Sequence, residues 1–222
     1  MFISYDEVEA DANYAKLLER FPRAKRVHGV KGMENALAAA AEASTTPWYY
    51  AVFGKTELYP TWDFSFVPDY FQQPKHYIFY SENRVNKLVY GEMAIILYNC
   101  RLILDNRGKE FGLDYTTSFP HEVIPVISTY GNFDTSPYQT WRTAFREALK
   151  LRMFMDTQPT LETEHRLKTW ITVGNGPFGN HSILGAKHAV MFYNDVKGDL
   201  VELQKSFEWA WLREHFNRLH HA

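Results

Sequence analysis

Lys31 in the run "RVHGVKG" and Lys55 in "YYAVFGK" each stand beside glycine just past an apolar stretch. A cation next to a residue with no Cβ lets a backbone approach an anion closely, and the helix that should follow Gly32 adds a favourable dipole at its amino end. Asn35 falls on the first turn of that helix, and Arg26 is a second cation on the preceding stretch. The plain alternative is a strand–helix loop with a solvated lysine, and for Lys55 an ordinary Gly-Lys turn. Glu57, two residues beyond Lys55, offers a carboxylate at the same place. Tyr5 and Asp6 end the run "FISYD". There a ring can stack on a flat ligand while the carboxylate accepts a donor, or the pair can serve as a capped turn into a helix.

Two further carboxylates are candidates for general-base work. Glu92 in "YGEMA" follows a glycine at the head of an apolar strand, where a carboxylate must be paired or solvated. Asp134 in "GNFDTSP" precedes a long helix and is equally a helix-entry residue. Arg142, Arg146 and Lys150 recur at i, i+4 and i+8 in "WRTAFREALK", a basic stripe suited to phosphates or, with Glu147 nearby, a solvated face with ion pairs. No His-Glu-x-x-His or comparable metal spacing occurs among the nine histidines. His181 and His188, after the glycine-rich "GNGPFGN", read as structural residues or as late ligands.

The elements that must position these groups alternate. "FISY", "AKRVHGV" and "PWYYAVF" read as strands; "EADANYAKLLERF" and "MENALAAAAEAST" read as the helices between them. Such alternation predicts a mainly parallel sheet with ligands at the carboxyl ends of its strands, so Tyr5–Asp6, Gly29–Lys31 and Phe53–Lys55 should share one rim. "HYIFYSENRV" and "VYGEMAIILYN" read as strands, and "CRLILDN" as a short helix or turn. Ser136 and Pro137 mark the start of a helix, "PTLETEHRLKTWITV" starts another, and a last one should run from Leu200 to Arg218. No repeat or linker interrupts the chain, so one domain is expected over residues 1–222.

Composition excludes several classes. A net charge of -2, from 24 Lys+Arg against 26 Asp+Glu, provides no global basic field, so nucleic acid must be met by a local patch. Cys100 is the single cysteine, which rules out an internal disulfide and suits a reducing cytosol. No run of 18 apolar residues occurs, and a soluble protein without membrane contact is expected. Aromatic residues make up 16%, enough to build stacking pockets as well as a core.

Taken in order, "FISYDE", "AKRVHGVKGMENA", "YYAVFGK", "DFSFVPD", "YSENRVNKLVYGEMAIILYN", "SPYQTWRTAFREALKL" and "ETEHRLKTW" resemble a family of small glycosyltransferase-like proteins of tailed bacteriophages. The resemblance implies a single-domain GT-A-like (Rossmann-like) α/β fold, with a mixed, mainly parallel sheet flanked by helices. Residues 1–60 would form the nucleotide-sugar-binding half, and 61–222 the acceptor half with the C-terminal helices. It implies transfer of arabinose or glucose from a UDP-sugar to 5-hydroxymethylcytosine in double-stranded phage DNA, in the cytoplasm of the infected bacterial host. Transfer to a carbohydrate or protein acceptor, or a non-catalytic nucleotide-binding module, are the alternatives. Tyr5, Asp6, Arg26, Lys31, Asn35 and Lys55 would bind the donor, Glu92 or Asp134 would act as base, and Arg142, Arg146 and Lys150 would track DNA. Relatives carry Asp-Gly-Asp where this chain has Phe53-Gly54-Lys55, so no cofactor is expected and a divalent metal is in question.

Overall fold

The computed structural model describes residues 1–92 and 94–220. The chain gathers into two compact units: Met1–Glu82, Val89–Phe111 and Tyr115–Gly131 form the first, and Asn83–Leu88, Gly112–Asp114 and Asn132–Ala222 the second.

The first unit opens with β1 (Phe2–Ser4), α1 (Ala10–Arg20), β2 (Arg26–His28), α2 (Met33–Glu42) and β3 (Trp48–Phe53), the predicted alternation. β1 pairs in parallel with both β2 and β3, a geometry that requires a crossover, and the two helices supply it. Successive side chains on these strands point to opposite faces. Ile3, Val27 and Ala51 meet α2, whose Ala36, Leu37, Ala38, Ala40 and Ala41 are buried, while Phe2 and Val52 meet Ala10 and Leu17 of α1. The alanines of α2 let its backbone lie close to the sheet.

Beyond β3 come β4 (Glu57–Leu58), β5 (His76–Asn83), β6 (Val89–Tyr90), β7 (Ile96–Asn99), α3 (Cys100–Asp105) and β8 (His121–Gly131), in the sheet order β2-β1-β3-β7-β5-β8-β4 with β6 against β5. The sheet is mixed, as expected, but not mainly parallel. β3·β7, β5·β7, β5·β6 and β4·β8 are all antiparallel. For β5·β6 the reason is connection length: the link over residues 84–88 is too short for a parallel crossover. The predicted strand "VYGEMAIILYN" is accordingly broken into β6 and β7 by a turn at Gly91–Glu92. A Cβ on Gly91 would lie 2.6 Å from Ile78 Cγ2, so the turn has no room for a side chain.

The second unit is helical. α4 (Pro137–Thr157) starts as predicted, with the Ser136 hydroxyl accepting from Gln139 N and Pro137 in the first turn. α5 (Leu161–Thr172) is capped by Thr160, and α6 (Gly179–Asp195) follows the glycine-rich loop. α6 packs on α4 through small residues: Ser182, Gly185, Ala186 and Ala189 are buried, and a Cβ on Gly185 would collide with the carbonyl of Trp141. The expected final helix is two, α7 (Leu200–Gln204) and α8 (Trp209–His220), separated by a 3-10 turn over Lys205–Phe207. Among the described residues no helix is long and apolar enough to cross a membrane.

Candidate functional site

The register Ser4↔His28 and Ile3↔Phe53 brings the ends of β1, β2 and β3 into line. Tyr5–Asp6, Gly29–Lys31 and Gly54–Lys55 therefore leave the sheet at one rim. Backbone bonds fix the departures: Gly29 N donates to Ser4 O at 3.0 Å and Gly54 N to Ile3 O at 2.8 Å. The Glu7 carboxylate accepts from Tyr5 N at 2.8 Å, and Asn13 of α1 donates to Gly54 O at 2.8 Å. A Cβ on Gly54 would sit 2.8 Å from Glu7 Oε2 and 3.1 Å from Ser4 Cβ. The Phe-Gly-Lys turn is thus held from two sides, which a free surface turn is not.

Of the proposed donor-binding residues, Tyr5, Asp6, Lys31, Asn35 and Lys55 are exposed around this rim. No side chain caps α2, whose N-cap position, Gly32, follows Lys31. The Asn35 amide donates to Lys31 O at 3.3 Å and accepts from Arg107 at 3.5 Å, and Arg107 also pairs with Glu42 at 3.3 Å. Gly108 N donates to Glu34 at 2.5 Å, so the segment after α3 borders the start of α2 and adds a half-exposed guanidinium to it.

Arg26 is different. Its guanidinium pairs with Asp11 at 2.7 Å, donates to Ser4 Oγ at 3.0 Å and lies over the rings of Phe2 and Tyr14. Ser4 Oγ is also 3.0 Å from His28 Nδ1. Arg26 therefore orients an exposed histidine at the rim and is itself engaged below it. Ser4, Glu7, Asn13 and His28 escape sequence reading as site residues. The one available signal is the spacing of Arg26 and His28, which puts both on one face of a strand.

Glu92 joins this rim through register. β7 runs antiparallel to β3 with Ile96 opposite Ala51, so the turn that leads into β7 lies at the end of the sheet where β3 finishes. Glu92 is buried at 6% exposure and is not a free carboxylate, and it opens a turn where the sequence suggests a strand.

Asp134, Arg142, Arg146 and Lys150 belong to the second unit. Ser136, not Asp134, caps α4, and Asp134 instead lies against the glycine-rich loop, where a Cβ on Gly176 would collide with its Oδ2. Asn175 of that loop donates twice to Val85 O, at 2.7 and 2.9 Å. The basic stripe has the expected spacing but is only partly exposed. Arg142 lies over Trp209 at 4.5 Å and Arg146 over Phe207 at 5.5 Å. Burial, with Arg142 next, draws the Arg146 guanidinium below its ordinary pKa. Lys150 bridges Glu147 at 2.6 Å and Asp114 at 3.0 Å. Burial works against its charge, but the two carboxylates outweigh it and hold the ammonium above its ordinary value. These cations are committed to their own unit rather than held out to solvent.

His188 accepts from the Trp141 indole at 3.0 Å, a structural role, and His181 adjoins the Phe178 ring. Among the described residues no three His, Cys, Asp or Glu side chains converge as metal ligands do. No protein-family model matches the chain, and neither a curated protein nor a solved structure is significantly similar to it.

Proposed function

We propose that the protein is a GT-A-like glycosyltransferase that moves arabinose or glucose from a UDP-sugar to 5-hydroxymethylcytosine in phage DNA, in the cytoplasm of the infected bacterial host. The observation that carries this reading is the single rim formed by Tyr5–Asp6, Gly29–Lys31 and Gly54–Lys55, where parallel α/β sheets take nucleotides. In the proposed reaction the hydroxymethyl oxygen attacks the anomeric carbon and the bond to the diphosphate breaks. Lys31, Lys55 and the amino end of α2 neutralise the leaving diphosphate, Tyr5 stacks on uracil, and Asp6 and Asn35 hold donor hydroxyls. Glu92, brought to the same end of the sheet by the β3·β7 register, takes the acceptor proton. A base inside a duplex is out of reach, so extrusion accompanies transfer.

A second reading, transfer to a carbohydrate or protein acceptor, is favoured by one observation: the cations expected to track DNA are engaged within their own unit. On the first reading DNA meets Arg101, Arg107 and Lys109 instead, whose segment borders α2. UDP release is the deciding assay, run with UDP-glucose and UDP-arabinose and with hydroxymethylated or unmodified DNA. Release only with hydroxymethylated DNA supports the first reading, and release with oligosaccharide or protein alone supports the second. UDP binding without release from any acceptor leaves a nucleotide-binding module.

A further inference from the structure

At the opposite, amino end of the parallel strands the first unit holds a cavity of about 370 Å³. This lies at the lower end of the roughly 300–1,000 Å³ of small-molecule sites. Its walls come from α1, β3 and the loop before β5: Leu17, Phe21, Trp48, Tyr50 and Phe64. The four aromatic rings are only partly buried, although apolar surface of this kind is normally closed by repacking. One wall residue carries backbone strain. Phe64 has φ 57°, a left-handed backbone that a bulky residue seldom adopts. Its ring is fixed there by edge contacts with Phe21 at 4.7 Å, Tyr50 at 5.0 Å and Trp62 at 5.4 Å.

The mouth has one sign of charge. Arg23 and Lys25 line it and are exposed, and no carboxylate is among the lining residues. The Lys25 ammonium donates to Ala43 O at 3.0 Å, a bond that orients its charge without neutralising it. Thr45 adds a hydroxyl to the lining, while those of Ser44 and Thr46 donate to Thr46 O at 3.0 Å and Trp48 O at 2.6 Å. An apolar, partly aromatic interior behind a cationic mouth complements a molecule with an apolar body and an anionic end.

We propose that this cavity binds a small amphipathic carboxylate, with its hydrocarbon or aryl body among Phe21, Trp48, Tyr50 and Phe64 and its carboxylate at Arg23 and Lys25. The proposal is independent of any activity at the carboxyl rim. Isothermal titration of the intact protein with octanoate and with 3-phenylpropanoate tests it. Saturable one-to-one binding is expected for at least one of them, weakened about tenfold by Arg23→Ala. Ala24→Leu, which fills the cavity, should abolish the binding while the melting temperature stays near that of the parent. Should Ala24→Leu not fold, Thr45→Trp at the mouth serves as the blocking variant. Octan-1-ol binding as tightly as octanoate would overturn the assignment of the anionic end. Absence of saturable binding, or binding unaffected by Arg23→Ala and by the blocking variant, would overturn the site.

Discussion

Replacing Lys150 by methionine tests whether the basic stripe of α4 is scaffold or DNA track. The ammonium lies 2.6 Å from the Glu147 carboxylate and 3.0 Å from Asp114, with side-chain exposures of 24% for Lys150, 8% for Glu147 and 25% for Asp114. Methionine keeps most of the stem's volume and removes the charge. Glu147 then loses its ion pair beside a second carboxylate, with the Arg146 guanidinium still acting on both. Breaking a fully buried pair costs about 3–5 kcal/mol. Water reaches a quarter of Lys150 and of Asp114, so the expected loss lies at or below the lower end, roughly 2–3 kcal/mol. Urea unfolding followed by circular dichroism at neutral pH measures it. Adding Glu147→Leu should restore part of the loss, because it removes the more buried of the two carboxylates and leaves only the quarter-exposed Asp114. In parallel, the salt dependence of DNA binding should be unchanged. A stability within about 0.5 kcal/mol of the parent, with a salt slope reduced by about one, would refute the scaffold reading and return Lys150 to the phosphate backbone.

The histidines give a pH dependence of defined sign. Burial, with His121 next, pushes His76 down to about 4, and burial with Arg218 and His188 does the same for His215. The unfolded chain takes up these protons first, near the ordinary value of about 6.5. Stability should therefore be full above that pH and fall as pH drops toward 4, by about 3 kcal/mol for His76 alone, and glutamine at both positions should flatten the profile of urea midpoints. Gly54→Ala pushes a methyl against the Glu7 carboxylate and Ser4, so Glu7 must give up its bond to Tyr5 N, and should destabilise by about 1 kcal/mol in thermal melts; a stabilised variant would contradict the geometry of the turn. Lys55→Ala should lower kcat/KM by roughly 2–4 kcal/mol of transition-state stabilisation, with turnover persisting in excess chelator; loss of turnover in chelator and its return with manganese would contradict this. Glu92→Gln should cut turnover about 10²–10⁴-fold with donor binding intact, and an active Glu92 variant beside a dead Asp134→Asn variant would exchange their roles.

How far the sequence discloses the fold depends on whether a residue's partner is near it in the chain. The β1-α1-β2-α2-β3 order is legible because each element repeats its own apolar period. α6 is not, since its contact with α4 uses Ser182, Gly185, Ala186 and Ala189, which leave no apolar stripe to count. β8 escapes for a similar reason. Pro125 interrupts it, and its first half is largely exposed, so neither alternation nor a buried run marks it. The stripe on α4 shows the same limit at a functional level. Spacing places Arg142, Arg146 and Lys150 on one face, but the residues that occupy that face, Trp209, Phe207 and Asp114, lie tens of residues away.

The rim combines both kinds of information, and Gly54 shows how. From the chain alone, Phe-Gly-Lys after a strand is equally a site or a turn, because a glycine suits either. Three facts from outside the segment decide the packing: Ser4 comes by strand register, Glu7 by its bond to Tyr5 N, and Asn13 by its bond to Gly54 O. Together they crowd the space a side chain at residue 54 would take and fix where the backbone turns. Lys55 must then leave the sheet on the side where β1 and β2 also end, toward Tyr5, Asp6 and the open start of α2. A solvated lysine on an unconstrained turn would have no fixed relation to those groups. With its backbone held from two sides, Lys55 starts from a fixed point on the rim those groups share, and on the proposed function that limits the search its flexible stem must make to reach a diphosphate.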